Sequence, residues 1–184
     1  MKSLNQKGGT SINFEAQLYN IDSWTILRLP EKASKKLSTR AMTIVDATIN
    51  NSHFKTPLEP DGIGSHWFKF TKEMQETANA KSGDNVSITI EQTNNWPDPE
   101  MPDDLKIALE ANPKCFETWE KITPNAKWDW IRWIRATKNE GTRAKRIEVA
   151  LSKMKCGMRR PCCFNRNACT IMEVSKNGQL LIPN

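Results

Sequence analysis

Cysteine is the most reactive residue type in this 184-residue chain, and four of its five cysteines crowd the last third: Cys156, Cys162, Cys163 and Cys169, with Cys115 apart. Four thiolates can hold zinc, yet structural zinc sites use cysteine pairs two to four residues apart, and adjacent cysteines rarely both serve one ion. No metal site is expected. Arg159, Arg160 and Arg166 lie near Cys162 and Cys163, and cationic neighbours favour a reactive thiolate. This pair is therefore the candidate nucleophilic or redox site. The plainer reading is a set of free thiols packed as small hydrophobes.

A second candidate is the loop Asp61-Gly-Ile-Gly-Ser-His66-Trp67. Gly62 and Gly64 free its backbone to cradle an anion with N–H groups, while His66 titrates near neutrality. The loop lacks the Lys-Ser/Thr ending of a P-loop and the third glycine of a dinucleotide fingerprint. The alternative is a tight connection that needs positive φ at Gly62 and Gly64. His53 and His66 are the only histidines, no nucleophile-elbow sequence accompanies them, and no carboxylates pair convincingly. No catalytic residue is assigned.

The third candidate lies on a helix. At 100° per residue, Trp130, Ile131, Trp133 and Ile134 share a broad arc fit for a core, while Trp128, Arg132 and Arg135 fall together at i, i+4 and i+7. A tryptophan flanked by two arginines can stack on a base or hold a phosphate. Packing of the same residues into an internal cation–π cluster is the competing reading.

Composition sets the frame for these sites. Hydrophobic residues at 38% and charged residues at 26% describe a globular chain. No apolar run approaches the roughly 20 residues that span a bilayer, and the polar start (Met1–Thr10) lacks a signal-peptide core, so a cytoplasmic protein with reduced thiols is expected. The net charge of +6 is uneven: 11 − 10 = +1 over residues 1–95 and 16 − 11 = +5 over residues 96–184. Between Lys127 and Arg166 there are 12 basic and 3 acidic side chains. That block should attract anions, unless it is simply a solvated helix surface.

Period-two alternation marks strands in the N-terminal half: Ile12-x-Phe14-x-Ala16-x-Leu18, Trp24-x-Ile26, Val45-x-Ala47-x-Ile49, a short segment at Phe54, His66-x-Phe68-x-Phe70, and Val86-x-Ile88-x-Ile90. Short helices are placed at Glu31–Leu37 and Lys72–Ala78. Six or so strands with turns between them predict a small β-barrel over 11–95. Three prolines in Trp96-Pro-Asp-Pro-Glu-Met-Pro102 break the pattern and predict a linker over 96–102. Four helices then fill 103–157: one from Asp103 to about Ala111, Lys114–Ile122, one opened by Thr123-Pro124, and one from about Thr142 to Cys156. The remainder, 158–184, reads as a cysteine-rich tail ending in a hairpin around Asn177-Gly178, and 1–10 as a flexible N-terminus. The fold class is α+β.

The order of several short motifs is also familiar. Phe14-x-Ala16-x-Leu18, Leu29-Pro30, Leu58-x-Pro60-x-Gly62-x-Gly64-x-His66 and Gly83-Asp84-x-Val86 precede the proline-rich linker. After it come Asp104-Leu105, Ala108-Leu109 and Thr142-Arg143-x-x-Arg146-Ile147. Together they resemble the YdeI/OmpD-associated, or bacteriocin-protection, family over nearly the whole chain. The resemblance implies a double-split β-barrel of unknown function followed by a helical domain. It implies no catalytic residue and no cofactor, and its name associates it with protection from antimicrobial peptides. A relation of that barrel to swapped-hairpin transcription regulators keeps nucleic acid in view by analogy only.

These readings converge on a non-enzymatic binding or stress-protection module. An unknown small or anionic ligand would sit in a cleft between barrel and helices, near Arg40, Gly62, Gly64, His66 and Arg143. A nucleic-acid-binding protein using Trp128, Arg132 and Arg135 is the second choice, and a thiol-dependent enzyme or redox sensor using Cys162 and Cys163 the third. No cofactor and no membrane insertion are expected. Oligomeric state is left open.

Overall fold

The computed structural model describes residues 10–183, so nearly all of the expected flexible N-terminus lies outside the described residues. The first half holds β1 (Ile12–Gln17), β2 (Tyr19–Ile21), β3 (Trp24–Arg28), α1 (Glu31–Ser34), β4 (Thr43–Ile49), β5 (Ser52–Pro60), β6 (His66–Lys69), α2 (Lys72–Ala78) and β7 (Asn85–Thr93). Its seven strands form one antiparallel sheet ordered β1-β7-β4-β5-β6-β3-β2. The two edges, β1 and β2, are separated in sequence by Leu18 alone, so the sheet curls back onto the stretch of chain where it began. Leu18 is fully buried at that corner, and its backbone exchanges bonds of 2.9 and 2.7 Å with Asp84 and Gly83. The sheet is a curled half-barrel in which β1 and β2 remain the two edges.

The alternation that predicted the strands also fills the curl. Leu27, Leu29, Val45, Ala47, Leu58, Phe68, Phe70, Val86, Ile88 and Ile90 form one core. Asn50 (φ 46°) and Asn51 (φ 67°) make the two-residue turn that joins β4 to β5, with Ile49 opposite Ser52.

Four helices follow the linker: α3 (Asp103–Glu110), α4 (Pro113–Lys121), α5 (Pro124–Arg135) and α6 (Glu140–Lys155). Thr123 caps α5 through the Ala126 amide, with Pro124 in the first turn. Asn139 caps α6 through the Thr142 amide, so that helix begins two residues earlier than the Thr142 start read from sequence. Leu105, Leu109, Cys115, Trp119, Trp130, Ile131, Ile134, Ile147, Ala150 and Met154 make a second core.

The tail builds a third. Its hairpin pairs β8 (Ser175–Lys176) with β9 (Gln179–Leu180) across Asn177 (φ 53°) and Gly178 (φ 75°). Cys169, Val174 and Leu180 of this tail cover Ile26 and Trp67 on the outer face of β3 and β6. That cover explains why Trp67 is as buried as its neighbours His66 and Phe68, although alternation alone would turn it to water. No helix among the described residues is long and apolar enough to cross a membrane.

Candidate functional site

The glycine loop does not present an open anion cradle. Asp61 leads it, with a side chain fully shut from solvent, and its Oδ1 accepts the amides of Ile63 and Ser65, both at 2.8 Å. Its Oδ2 accepts from Arg28 at 2.8 Å. The anion held by the loop backbone is thus a carboxylate of the chain itself. Gly62 (φ 78°) and Gly64 (φ 112°) do adopt the left-handed backbone. A Cβ on Gly62 would lie 2.0 Å from the Gly178 carbonyl, so this glycine seats the tail hairpin.

His66 is likewise enclosed, and it does not meet Arg143 in one hollow. Its Nε2 lies 3.0 Å from the Ala41 carbonyl, which can only accept, so Nε2 carries the proton and Nδ1 accepts from the Ser34 hydroxyl at 2.7 Å. Burial pushes the imidazole below its ordinary pKa, the Ala41 bond opposes that, and Arg40 reinforces it. Arg40 itself donates to the Ser34 and Leu37 carbonyls, bracing the turn after α1. Sequence reasoning missed this Ser34–His66 pair because the two lie 32 positions apart. Both are 0% exposed, so no substrate reaches His66 and its place among the ligand contacts is corrected; Arg40 is bonded to the turn carbonyls, Gly62 lies against the tail hairpin, and Gly64 stays exposed with open space around it.

The arginine face of α5 is also not an open surface. Arg132 is 0% exposed: its Nε donates to Glu59 Oε2 at 3.1 Å, and its remaining nitrogens reach the Arg166 and Ala168 carbonyls. Arg135 donates to the other Glu59 oxygen and to Thr170 Oγ1 at 3.0 Å. Burial pushes the Glu59 carboxyl up, but the two guanidiniums outweigh it and hold the group below its ordinary range. Trp128 stays half-buried, its indole N–H on the Pro97 carbonyl. The i, i+4, i+7 stripe therefore joins α5 to barrel, tail and linker. Missing from the sequence reading was Glu59, whose signal was a carboxylate inside the apolar end of a strand, Leu58-Glu59-Pro60.

Much of the remaining basic block is paired in the same way. Arg160 and Arg166 both bind Asp129, Lys127 binds Asp98 of the linker, and Arg143 grips Asp104 through two bonds of 2.6 and 2.9 Å. Arg146 donates to the Trp133 carbonyl and lies over that ring. Cys162 and Cys163 are exposed, as is Cys156, whereas Cys115 and Cys169 are buried. Among the described residues no group of three or more His, Cys, Asp or Glu side chains is arranged to hold a metal ion.

One hollow does open between sheet, helices and tail. It measures about 500 Å³ and is lined by Trp24 of β3, Arg135 of α5, Lys138 and Arg143 around the α5–α6 junction, and the tail stretch from Thr170 to Glu173. The ring of Trp24 is covered on one side by Lys69, 3.9 Å from its centroid. The hollow thus combines an aromatic wall, three cationic side chains, the hydroxyls of Thr137 and Thr170, and one carboxylate. Of the sequence-chosen residues it gathers Arg135 and Arg143. Trp24, Lys138, Thr170 and Glu173 had no local motif to mark them.

No curated protein matches the chain. Residues 14–90, the sheet from Phe14 to Ile90, match a domain of unknown function, DUF1905. Residues 98–157, the end of the linker and all four C-terminal helices, match the family described as bacteriocin-protection, YdeI or OmpD-associated. The curled sheet and the helical domain after the proline linker thus each match a family model, and the helical domain belongs to the YdeI/OmpD-associated, bacteriocin-protection family.

Proposed function

We propose that the protein is a binding module that takes a small anionic ligand in the hollow between sheet, helices and tail. The observation that carries this reading is the convergence of Arg135, Lys138 and Arg143 beside the Trp24 ring. Arg135 and Arg143 are held in place by Glu59 and Asp104, whereas Lys138 makes no ion pair among the described residues. A pre-positioned guanidinium pair with one free ammonium suits a phosphate or carboxylate attached to a planar group. Binding is favoured over catalysis because His66 is enclosed and His53 is bonded to Thr48 on the β4–β5 hairpin, so no histidine faces the hollow. The five cysteines are unpaired, which suits a reducing compartment.

The family name couples such chains to bacteriocin protection. A chain of net charge +6 with a cationic hollow repels cationic peptides, so capture of the peptide itself is disfavoured. An anionic metabolite taken up under stress fits the electrostatics better. The test is a titration with phenyl phosphate, and with benzylamine as the cationic control, followed by the Trp24 indole resonance. Phenyl phosphate should shift that resonance and benzylamine should not, and Lys138→Ala should weaken binding about tenfold, the equivalent of one modest ionic contact. A Trp24 signal indifferent to phenyl phosphate, inorganic phosphate and benzoate would end the reading.

A further inference from the structure

We propose that Cys162 and Cys163 form a dithiol site for monosubstituted trivalent arsenicals, R–As(III). Both thiols are reduced and exposed, at the tip of a loop whose two ends are anchored to one helix. Arg160 and Arg166 bind the same Asp129 carboxylate on α5, the Arg159 carbonyl accepts from Trp130 Nε1 at 3.0 Å, and the Arg166 carbonyl accepts from Arg132. The tip is therefore clamped while its thiols stay open.

The backbone at the tip favours joint use of the two sulfurs. In an extended strand, consecutive side chains point to opposite faces. Residues 162 and 163 are bends instead, and Cys163 holds φ 56°. A left-handed conformation is uncommon for a residue other than glycine, and here it lies between the two clamped ends of the loop.

The ligand class follows from valence. Zinc needs four ligands, and no cluster of three or more side chains surrounds these thiols among the described residues. A monosubstituted arsenical needs two, because its third valence is already occupied by carbon. A direct disulfide must close a small ring across a planar peptide, whereas an inserted arsenic atom enlarges that ring and relieves it. The step balances without an oxidant: two S–H bonds and the As–O bonds of R–As=O break, two As–S bonds form, and the oxide oxygen leaves as water with both protons. Arsenic stays trivalent throughout.

Phenylarsine oxide added to the reduced full-length protein tests the site. One phenylarsenic group should add with loss of two thiol hydrogens, map to the peptide carrying Cys162 and Cys163, resist glutathione, and leave with dithiothreitol. Cys162→Ser and Cys163→Ser should each release the reagent to glutathione roughly a hundredfold faster, because the second thiol no longer acts at high effective concentration. Cys156→Ser should behave as the wild type. The proposal is overturned if the wild-type adduct leaves as fast as the single-serine adducts, or if it maps to Cys156, Cys115 or Cys169.

Discussion

The Nε of Arg132 on α5 lies 3.1 Å from a carboxylate oxygen of Glu59 on β5, and both side chains are shut away from solvent. This contact joins the two family-matched halves of the chain, and the tail carbonyls of Arg166 and Ala168 complete the guanidinium's bonds. Removing Glu59 leaves the buried Arg132 charge without its carboxylate, which costs about 3–5 kcal/mol, whereas removing Arg132 leaves Glu59 still paired with Arg135 and costs less. Arg132→Met and Glu59→Gln should each lower the urea midpoint, Glu59→Gln by more. The paired replacement Glu59→Gln/Arg132→Met should cost less than the sum of the two single changes. Strict additivity would show that the residues do not act as a pair.

Acid should weaken the fold in two separate steps. The Glu59 carboxyl is held below its ordinary 4.5 because Arg135 and Arg132 outweigh the effect of burial. A depressed carboxylate pKa stabilises the fold above the unfolded value and loses that contribution as pH falls through the folded one. His66 is held below its ordinary 6.5 chiefly by burial. The unfolded chain therefore binds that proton first, and stability falls as pH drops from about 6.5 towards the folded pKa. Between pH 7 and 5 the wild type should lose stability in urea, whereas His66→Gln should be flat there. An equal slope in both proteins would remove His66 as the cause.

Strand alternation, the Asn177-Gly178 turn, the linker prolines and the Thr123 cap were all legible because each is a local rule of backbone or burial. The α5 apolar arc was legible for the same reason, and Trp130 and Ile134 are indeed 0% exposed. The opposite arc misled because a helical wheel shows which residues share a face but not what covers it. Arg132 faces a carboxylate 73 positions away, and no periodicity encodes that distance. The glycine loop was read correctly in its backbone and wrongly in its contents, since Asp61 fills the cradle that Gly62 and Gly64 shape.

Gly62→Ala should detach the tail hairpin before it affects the sheet. The new methyl would meet the Gly178 carbonyl at 2.0 Å and would sit on a residue with φ 78°. Strain and lost contact together should cost more than about 1 kcal/mol. Limited proteolysis should then cut within residues 158–183 in the variant at protease levels that spare the wild type. Gly64→Ala has open space around its Cβ, so it should show the backbone strain alone and keep the tail attached. Equal protection of both variants would mean that the hairpin does not rest on Gly62.

The last prediction concerns nucleic acid. The block from Lys127 to Arg166 carries a formal 12 − 3 = +9, which by itself should attract phosphates. Yet Lys127, Arg132, Arg135, Arg143, Lys145, Arg160 and Arg166 each face a carboxylate of the chain. Arg146 lies on Trp133, which leaves Lys138, Lys153, Lys155 and Arg159 without a carboxylate partner among the described residues. Each phosphate neutralised contributes a slope of about −0.9 in log affinity against log salt on duplex DNA. A surface with these few free cations should give a slope no steeper than about −4, and binding should vanish near physiological salt. Trp128→Ala should leave single-strand affinity unchanged, because its indole is tied to Pro97 rather than offered to a base. A loss of roughly 1–3 kcal/mol on that substitution, the usual worth of base stacking, would restore the nucleic-acid reading.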